Sequence, residues 1–315
     1  MRRSVRRPAA NQRPTPRRLD ALIRQLATAR APAGLEDEVR ALLAESLPPS
    51  LPRSGTPLGS LHVHLGPAGP DRLFLAAAMD EPGLIIASID DQGRARLKPL
   101  GTVEPSSLIG HRIRFTGGAP GVIVRADESD ARAPVSLRDL AVDFGWADRE
   151  DGAVSPAEIG LIESPLDEVG ACLCGRSAAA RGILAILVLA AGRPNPSSGP
   201  ATIAFLANSA VDDRGLGPSA AAVAPDRAIL CRPAPASPGS GPHLGDGPIL
   251  GLTSSADSAS RDLAAWVRTH ARRAGIPLQE RLLAADDIGL STIQAQSDGV
   301  AAVAIELPAA GLHTP

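Results

Sequence analysis

Apolar and polar positions change rhythm several times along the chain. From Leu19 to Leu47 apolar residues recur three and four apart, with a break at Ala31-Pro32-Ala33-Gly34, after which Leu35, Val39, Leu42, Leu43 and Leu47 resume the spacing. That rhythm predicts two amphipathic helices joined by a forced turn. GSLHVHLG alternates and reads as a strand. Leu73 to Met79 is an unbroken apolar run that stops at Asp80-Glu81 and Pro82-Gly83. It predicts a buried strand whose chain is turned out of the sheet just after two acids. From residue 90 to 165 the texture becomes short strands and turns, as in ARLKPLG, HRIRFTGG and PGVIVRAD, without helical spacing.

Helical texture returns in SAAARGILAILVLAAG, apolar all round and therefore buried. Strand ATIAFLANSAV, helix GPSAAAVA, strand DRAILCR, helix SRDLAAWVRTHARRAG and strand GVAAVAIELP follow in turn. Strands alternating with helices predict an α/β fold with a doubly wound, mostly parallel sheet, interrupted by a small β-barrel or sandwich. The expected organisation is an Arg/Pro-rich disordered arm over 1–18, an α/β domain over 19–89 and 166–315, and the β insert over 90–165.

Composition narrows the picture. The chain has 315 residues and a net charge of −2, which gives no whole-protein case for nucleic acid or an anionic membrane. Lys98 is the only lysine, tyrosine is absent and aromatic residues are few, so the core must be aliphatic and alanine-rich. Cys172, Cys174 and Cys231 lack CxxC spacing and are expected to be core or half-buried thiols of a reducing cytoplasm. No apolar run reaches the length of a membrane span, so a cytoplasmic protein is expected. His62 and His64, two apart on a strand, are expected on an exposed polar face; a shared metal is the competing reading.

Acids gather at element ends. Asp80-Glu81 and Asp212-Asp213 follow strands, Asp286-Asp287 precedes a short helix-like run, and His313 follows the last strand. In a doubly wound sheet these ends converge on one rim, where chemistry in such folds is done.

The order of these pieces resembles the tetrahedral-aminopeptidase family, glutamyl aminopeptidase-like metallopeptidases that carry two metals in an α/β domain interrupted by a β-barrel dimerisation domain. APAGLEDEVRALL is similar to the family's opening helix. AAAMDEPG is similar to its Ala-His-Met-Asp-Glu-Val-Gly, LRDLAVDFG to its Leu-x-Asp-Leu-x-Ile-Asp-x-Gly, and CGRSAAARG to its Gly-Lys-Ala-Leu-Asp-Asp-Arg. AVDDRGLG falls at Gln-Glu-Glu-Val-Gly-Leu-Arg-Gly, PDRAILCR at Pro-Asp-x-Ala-Ile-x-x-Asp, LGDGPIL at Leu-Gly-x-Gly-Pro, and IELPAAGLHTP at the closing segment with His-Ser-Pro. The resemblance covers residues 19–315.

Carried over residue by residue, the resemblance implies a stripped metal site. The first histidine ligand falls on Ala78, while the aspartate that orients it remains as Asp80. The bridging aspartate falls on Ala179 and its neighbour on Ala180. The general-base glutamate and the adjacent ligand become Asp212 and Asp213, a terminal aspartate ligand becomes Arg232, and His313 is kept. Paired metals need a bridging carboxylate to hold them about 3.5–4 Å apart, and alanine offers no lone pair. A fixed cation at Arg232 repels a divalent ion, at about 8 kcal/mol for 4 Å and an effective dielectric near 20. The same arginine is expected to pair with Asp212 or Asp213.

The leading expectation is thus a catalytically degenerate member, a pseudoenzyme serving as a binding or assembly subunit, with no cofactor. One alternative is an active metal-dependent aminopeptidase that removes N-terminal residues, using zinc or cobalt at an altered site of Asp80, Asp213 and His313. Another is a nucleic-acid-binding protein working through the basic arm. The family resemblance implies a homo-oligomer, a dimer at least and up to a dodecamer, or a hetero-oligomer with an active paralogue. The chain stops two residues after His313, where relatives continue into a helix, and this ending is expected to loosen packing near the site or alter assembly.

Overall fold

A computed structural model describes residues 16–126, 134–145, 154–193, 199–236, 239, 241–296 and 299–314. Residues 1–15 of the arm lie outside them. The first helix, α1 (Pro16–Thr28), begins within the stretch expected to be disordered. Proline suits that position, because the first helical turn needs no N–H from it. Helix α2 (Asp37–Ser46) follows the Pro32-Gly34 turn, then β1 (Arg53–Gly55), β2 (Leu61–Leu65) and β3 (Leu73–Ala78).

Next come the six strands β4 (Gly83–Ile89), β5 (Ala95–Leu100), β6 (Arg112–Phe115), β7 (Pro120–Arg125), β8 (Leu140–Asp143) and β9 (Ile159–Ile162). They close into a barrel in the order β4-β5-β8-β7-β6-β9, every pair antiparallel. Its core is aliphatic with Phe115, and it starts at Gly83, ahead of the boundary read from the sequence. Gly160 is required there: a Cβ on it would lie 2.6 Å from Ile113 Cδ1.

The chain returns through a hairpin of β10 (Asp167–Val169) and β11 (Cys172–Cys174) into α3 (Ala178–Ala191). The remaining elements are β12 (Ala201–Leu206), α4 (Leu216–Val223), β13 (Arg227–Pro235), β14 (Ile249–Thr253), α5 (Ser258–Arg273), β15 (Gln279–Leu283), α6 (Ile288–Gln294) and β16 (Ala301–Ala309). They complete an eight-stranded sheet in the order β1-β2-β12-β3-β13-β16-β14-β15. The central strands β12, β3, β13 and β16 are mutually parallel, and β14 and β15 form a second parallel pair. One sheet face is covered by α1, α2 and α3 through Leu26, Leu43, Leu184 and Phe205. The other is covered by α4 and α6 through Phe74, Leu206, Leu216 and Leu290.

Two expectations about polar residues fail. His62 is 1% exposed, because β2 lies between β1 and β12; burial pulls its pKa down and favours the neutral ring. His64 bonds instead to Ser54 and Thr202. Cys172 and Cys174 are exposed, since β10 and β11 stand apart as a two-stranded ribbon; Cys231 is half-buried.

Candidate functional site

The parallel strands bring their C-terminal ends to one rim. There β3 runs into Met79-Asp80-Glu81, and Met79 N donates to Leu206 O at the end of β12 (2.8 Å). Glu81 is fully enclosed and acts as a node. It accepts from Ala31 N (2.9 Å), Ser177 Oγ (2.8 Å) and the Arg181 guanidinium (3.2 Å), with Arg176 3.3 Å away. Arg181, on an otherwise apolar helix, also donates to Met79 O (2.6 Å). Buried charges persist when paired and hydrogen-bonded in this way. The node therefore fixes the start of α3 against the end of β3.

Asp80 is less well served. Its Oδ2 accepts from Ala210 N (2.6 Å), while Oδ1 is buried with no partner among the described residues. Burial pushes its pKa up to about 6, against the pull of the Ala210 and Ser209 amides. Glu36 takes the next pair of amides, Gly34 N (2.7 Å) and Asn208 N (2.8 Å). Backbone strain gathers at the same rim: Ser177, Asn208, Asp212, Asp213 and His313 all have left-handed φ between 49° and 72°. Such strain in non-glycine residues is characteristic of functional sites.

Arg232, on β13, points to a different carboxylate from those expected. Its Nε donates to Glu306 Oε1 (2.9 Å), and its two terminal nitrogens fork onto Asp287 (3.1 and 2.6 Å). Among the described residues it forms no ion pair with Asp212 or Asp213. Asp287 is already held in place as the N-cap of α6, accepting from Leu290 N, and so presents a fixed carboxylate. Burial tends to raise its pKa, but the Arg232 hydrogen bonds outweigh this and hold it low. Arg281 adds two further bonds to Glu306 (2.6 and 2.8 Å). Asp213 stands nearby without joining the fork: a Cβ at Gly289 would lie 3.3 Å from Asp213 Oδ2 and 3.7 Å from an Arg232 nitrogen. Burial raises its pKa, and the Arg232 charge moderates the rise.

The register at the end of β12 also differs from expectation. The residues set beside Asp80 are Ser209 and Ala210; Asp212 is exposed, in the turn beyond. With Val211, Arg214 and Gly215 aligned to the Val, Arg and final Gly of Gln-Glu-Glu-Val-Gly-Leu-Arg-Gly, the two glutamates fall on Ser209 and Ala210. On that alignment the resemblance implies Ser209 and Ala210, rather than Asp212 and Asp213, at the general-base and ligand positions. The buried Ser209 hydroxyl has no hydrogen-bond partner among the described residues.

Ala78 ends β3 and Ala179 lies in the first turn of α3, both half-buried. His313 is exposed, and its carbonyl accepts from Glu104 N of the barrel (2.9 Å). Among the described residues no three His, Cys, Asp or Glu side chains are grouped to hold a metal ion. At the positions where the resemblance implies metal ligands, the donors present do not fit two metals: Ala78, Ala179 and Ala210 offer methyl groups, and Arg232 offers a paired guanidinium.

A doubly wound α/β sheet with an inserted antiparallel barrel, carrying its site at the sheet's C-terminal rim, defines an aminopeptidase-type architecture. The chain belongs to the M42 glutamyl aminopeptidase family, whose model matches residues 59–315. Aminopeptidase APDkam598 from the archaeon Desulfurococcus kamchatkensis superposes with a TM-score of 0.86 at 25% identity, covering 94% of this chain and 88% of that one. The TET1 peptidase of Pyrococcus horikoshii, described as assembling into a tetrahedron or a large octahedral shell, has a TM-score of 0.82 at 23% identity, covering 94% and 92%. The lysyl aminopeptidase of Pyrococcus furiosus is 32% identical over 114 residues, 33% of each chain.

Proposed function

We propose that this family member does not run two-metal peptide hydrolysis and acts as a non-catalytic binding or assembly subunit on the family's scaffold. The observation that supports this most is Arg232, a permanent cation at a ligand position, engaged by Asp287 and Glu306. It is not a loose side chain that a metal would displace, since displacement would leave Asp287 and a guanidinium to find new partners and Glu306 with Arg281 alone. Asp80 supports the same reading. Its orphaned Oδ1 is what remains when the imidazole it would orient is replaced by the methyl group of Ala78.

The subunit is proposed to form homo-oligomers through the barrel, because it retains that insert and a structural neighbour is described as forming closed shells. A cytoplasmic location belongs to the same proposal; among the described residues no helix is long and apolar enough to cross a membrane.

Metal analysis and peptidase assays of the purified full-length chain test the reading. The expected outcome is well under one zinc, cobalt or manganese ion per chain, and no cleavage of aminoacyl-p-nitroanilides with cobalt or zinc added. Stoichiometric metal together with turnover abolished by a chelator would establish the active-aminopeptidase alternative instead.

A further inference from the structure

The hairpin β10–β11 carries chemistry that the rim does not use. In its register Asp167 faces Cys174, Glu168 faces Leu173 and Val169 faces Cys172. Alternation therefore puts Cys172, Cys174, Asp167 and Val169 on one face and Glu168 and Leu173 on the other. Glu168 bonds to Arg24 of α1 (3.3 Å), which turns its own face toward the helix and leaves the cysteine face open. Both thiols are exposed. At the hairpin's exit the backbone packs closely, and a Cβ on Gly175 would lie 2.6 Å from Pro165 O.

Two thiols two residues apart on an extended strand have a definite reach. Their Cα atoms are about 6.6 Å apart, whereas a disulfide wants Cβ atoms about 3.8 Å apart and sulfurs about 2.05 Å apart. A bond between them would have to buckle a strand that is paired with β10 along its length and closely packed at Gly175. Two metal–thiolate bonds of about 2.3 Å laid end to end instead hold the sulfurs roughly 4.6 Å apart, which side-chain rotation alone can reach. Among the described residues no third His, Cys, Asp or Glu completes a metal-holding group here. Zinc, which wants four ligands, would be left short. A soft cation content with two thiolates would not, and thiolates select copper(I) over hard ions.

We propose that Cys172 and Cys174 form a two-thiolate binding site for a soft monovalent cation of the copper(I) class. On binding, two S–H bonds break, two Cu–S bonds form and two protons pass to solvent, with no change in oxidation state. Cys231 does not compete: its thiol is enclosed and its pKa is pushed up to about 12 by burial.

The test is an anaerobic titration of the reduced full-length protein with copper(I) buffered by bicinchoninate. Wild type and Cys231→Ala are expected to remove one copper(I) per chain from the chelator, and Cys172→Ser and Cys174→Ser to bind at least about tenfold more weakly. Unchanged uptake by the Cys172→Ser/Cys174→Ser double variant would overturn the proposal, as would zinc binding as tight as copper(I). Rapid loss of both thiols in air with a mass two units lower would overturn it too, by showing that the strand does close a disulfide.

Discussion

Arg232 and Glu306 stand opposite each other in register on the parallel strands β13 and β16, with Nε 2.9 Å from Oε1. Glu306 is enclosed and Arg232 only partly so, and the arginine shares with Arg281 the neutralisation of that carboxylate at the sheet rim. The guanidinium plane then reaches Asp287 with its remaining two nitrogens, so one side chain joins β13, β16 and the cap of α6. A forked guanidinium can do this and a lysine ammonium cannot.

The first prediction follows from that geometry. Arg232→Met should destabilise the fold by about 3 kcal/mol, at the low end for a broken buried pair, because Arg281 still covers part of Glu306. Adding Asp287→Asn should recover some of the loss, since Asp287 is the carboxylate left without its guanidinium and a neutral amide can still accept from Leu290 N at the cap of α6. Urea denaturation measures both; an Arg232→Met variant as stable as wild type would contradict the proposed role of the pair.

Asp80 gives a pH dependence with a definite sign. Its folded-state pKa, about 6, lies above the ordinary 3.8, so the native state holds the proton more tightly than the unfolded chain does. Its contribution is therefore most favourable below about pH 4 and is lost as pH rises through about 6, opposite to a salt-bridged carboxylate. A shift of about two units corresponds to roughly 3 kcal/mol. Asp80→Asn can still accept from Ala210 N, and should flatten the profile and stabilise the protein near pH 8 by about 2 kcal/mol. Thermal melts from pH 4 to 8 check this, and parallel profiles for the two proteins would count against it.

How much of this is legible in the sequence depends on the range of the interaction. The parallel core follows from apolar runs such as Leu73–Met79, because burial on both faces imposes continuous hydrophobicity. The barrel follows from short strands and turns, although its first strand reads like part of the main sheet. Arg232 can be singled out by its position, but not its partners, which lie 55 and 74 residues away. Asp287 is visible as an acid before a helix, yet its cap geometry is what aims it at the arginine. At the end of β12 an apolar continuation through Val211 hides the left-handed Asn208, where the strand has already turned. The exposure of Cys172 and Cys174 is not legible, because three-residue strands carry too little pattern to declare a face.

The barrel presents Ile109 and Val122 to solvent, each 39% exposed. If the proposed assembly uses this lobe, Ile109→Asp with Val122→Arg should lower the mass measured by light scattering while leaving the circular dichroism spectrum unchanged. Deleting the whole barrel, residues 83–162, should also give a smaller assembly. Unchanged mass in both variants would move the contact surface elsewhere.

The last prediction tests the proposed loss of the metal site by reversing it. Ala78→His returns an imidazole two residues before Asp80, whose Oδ1 has no partner among the described residues and is proposed to orient it, as carboxylates commonly orient metal-binding histidines. Ala179→Asp supplies a bridging carboxylate, Ala210→Glu a further donor at the end of β12, and Arg232→Asp removes the cation. Each change alone should fail, because three or more donors are needed before zinc is held. Arg232→Asp alone should also be the least stable, with three acids gathered and only Arg281 to balance them. The four together should bind zinc measurably by calorimetry where wild type shows none, and zinc should raise the variant's melting temperature because it binds only the folded state. The order of the effects discriminates between explanations. If Arg232→Asp alone gained zinc while Ala78 and Ala179 stayed as they are, the missing ligands would not account for the proposed inactivity, and His313 with the acids already present would have to be the metal-binding set.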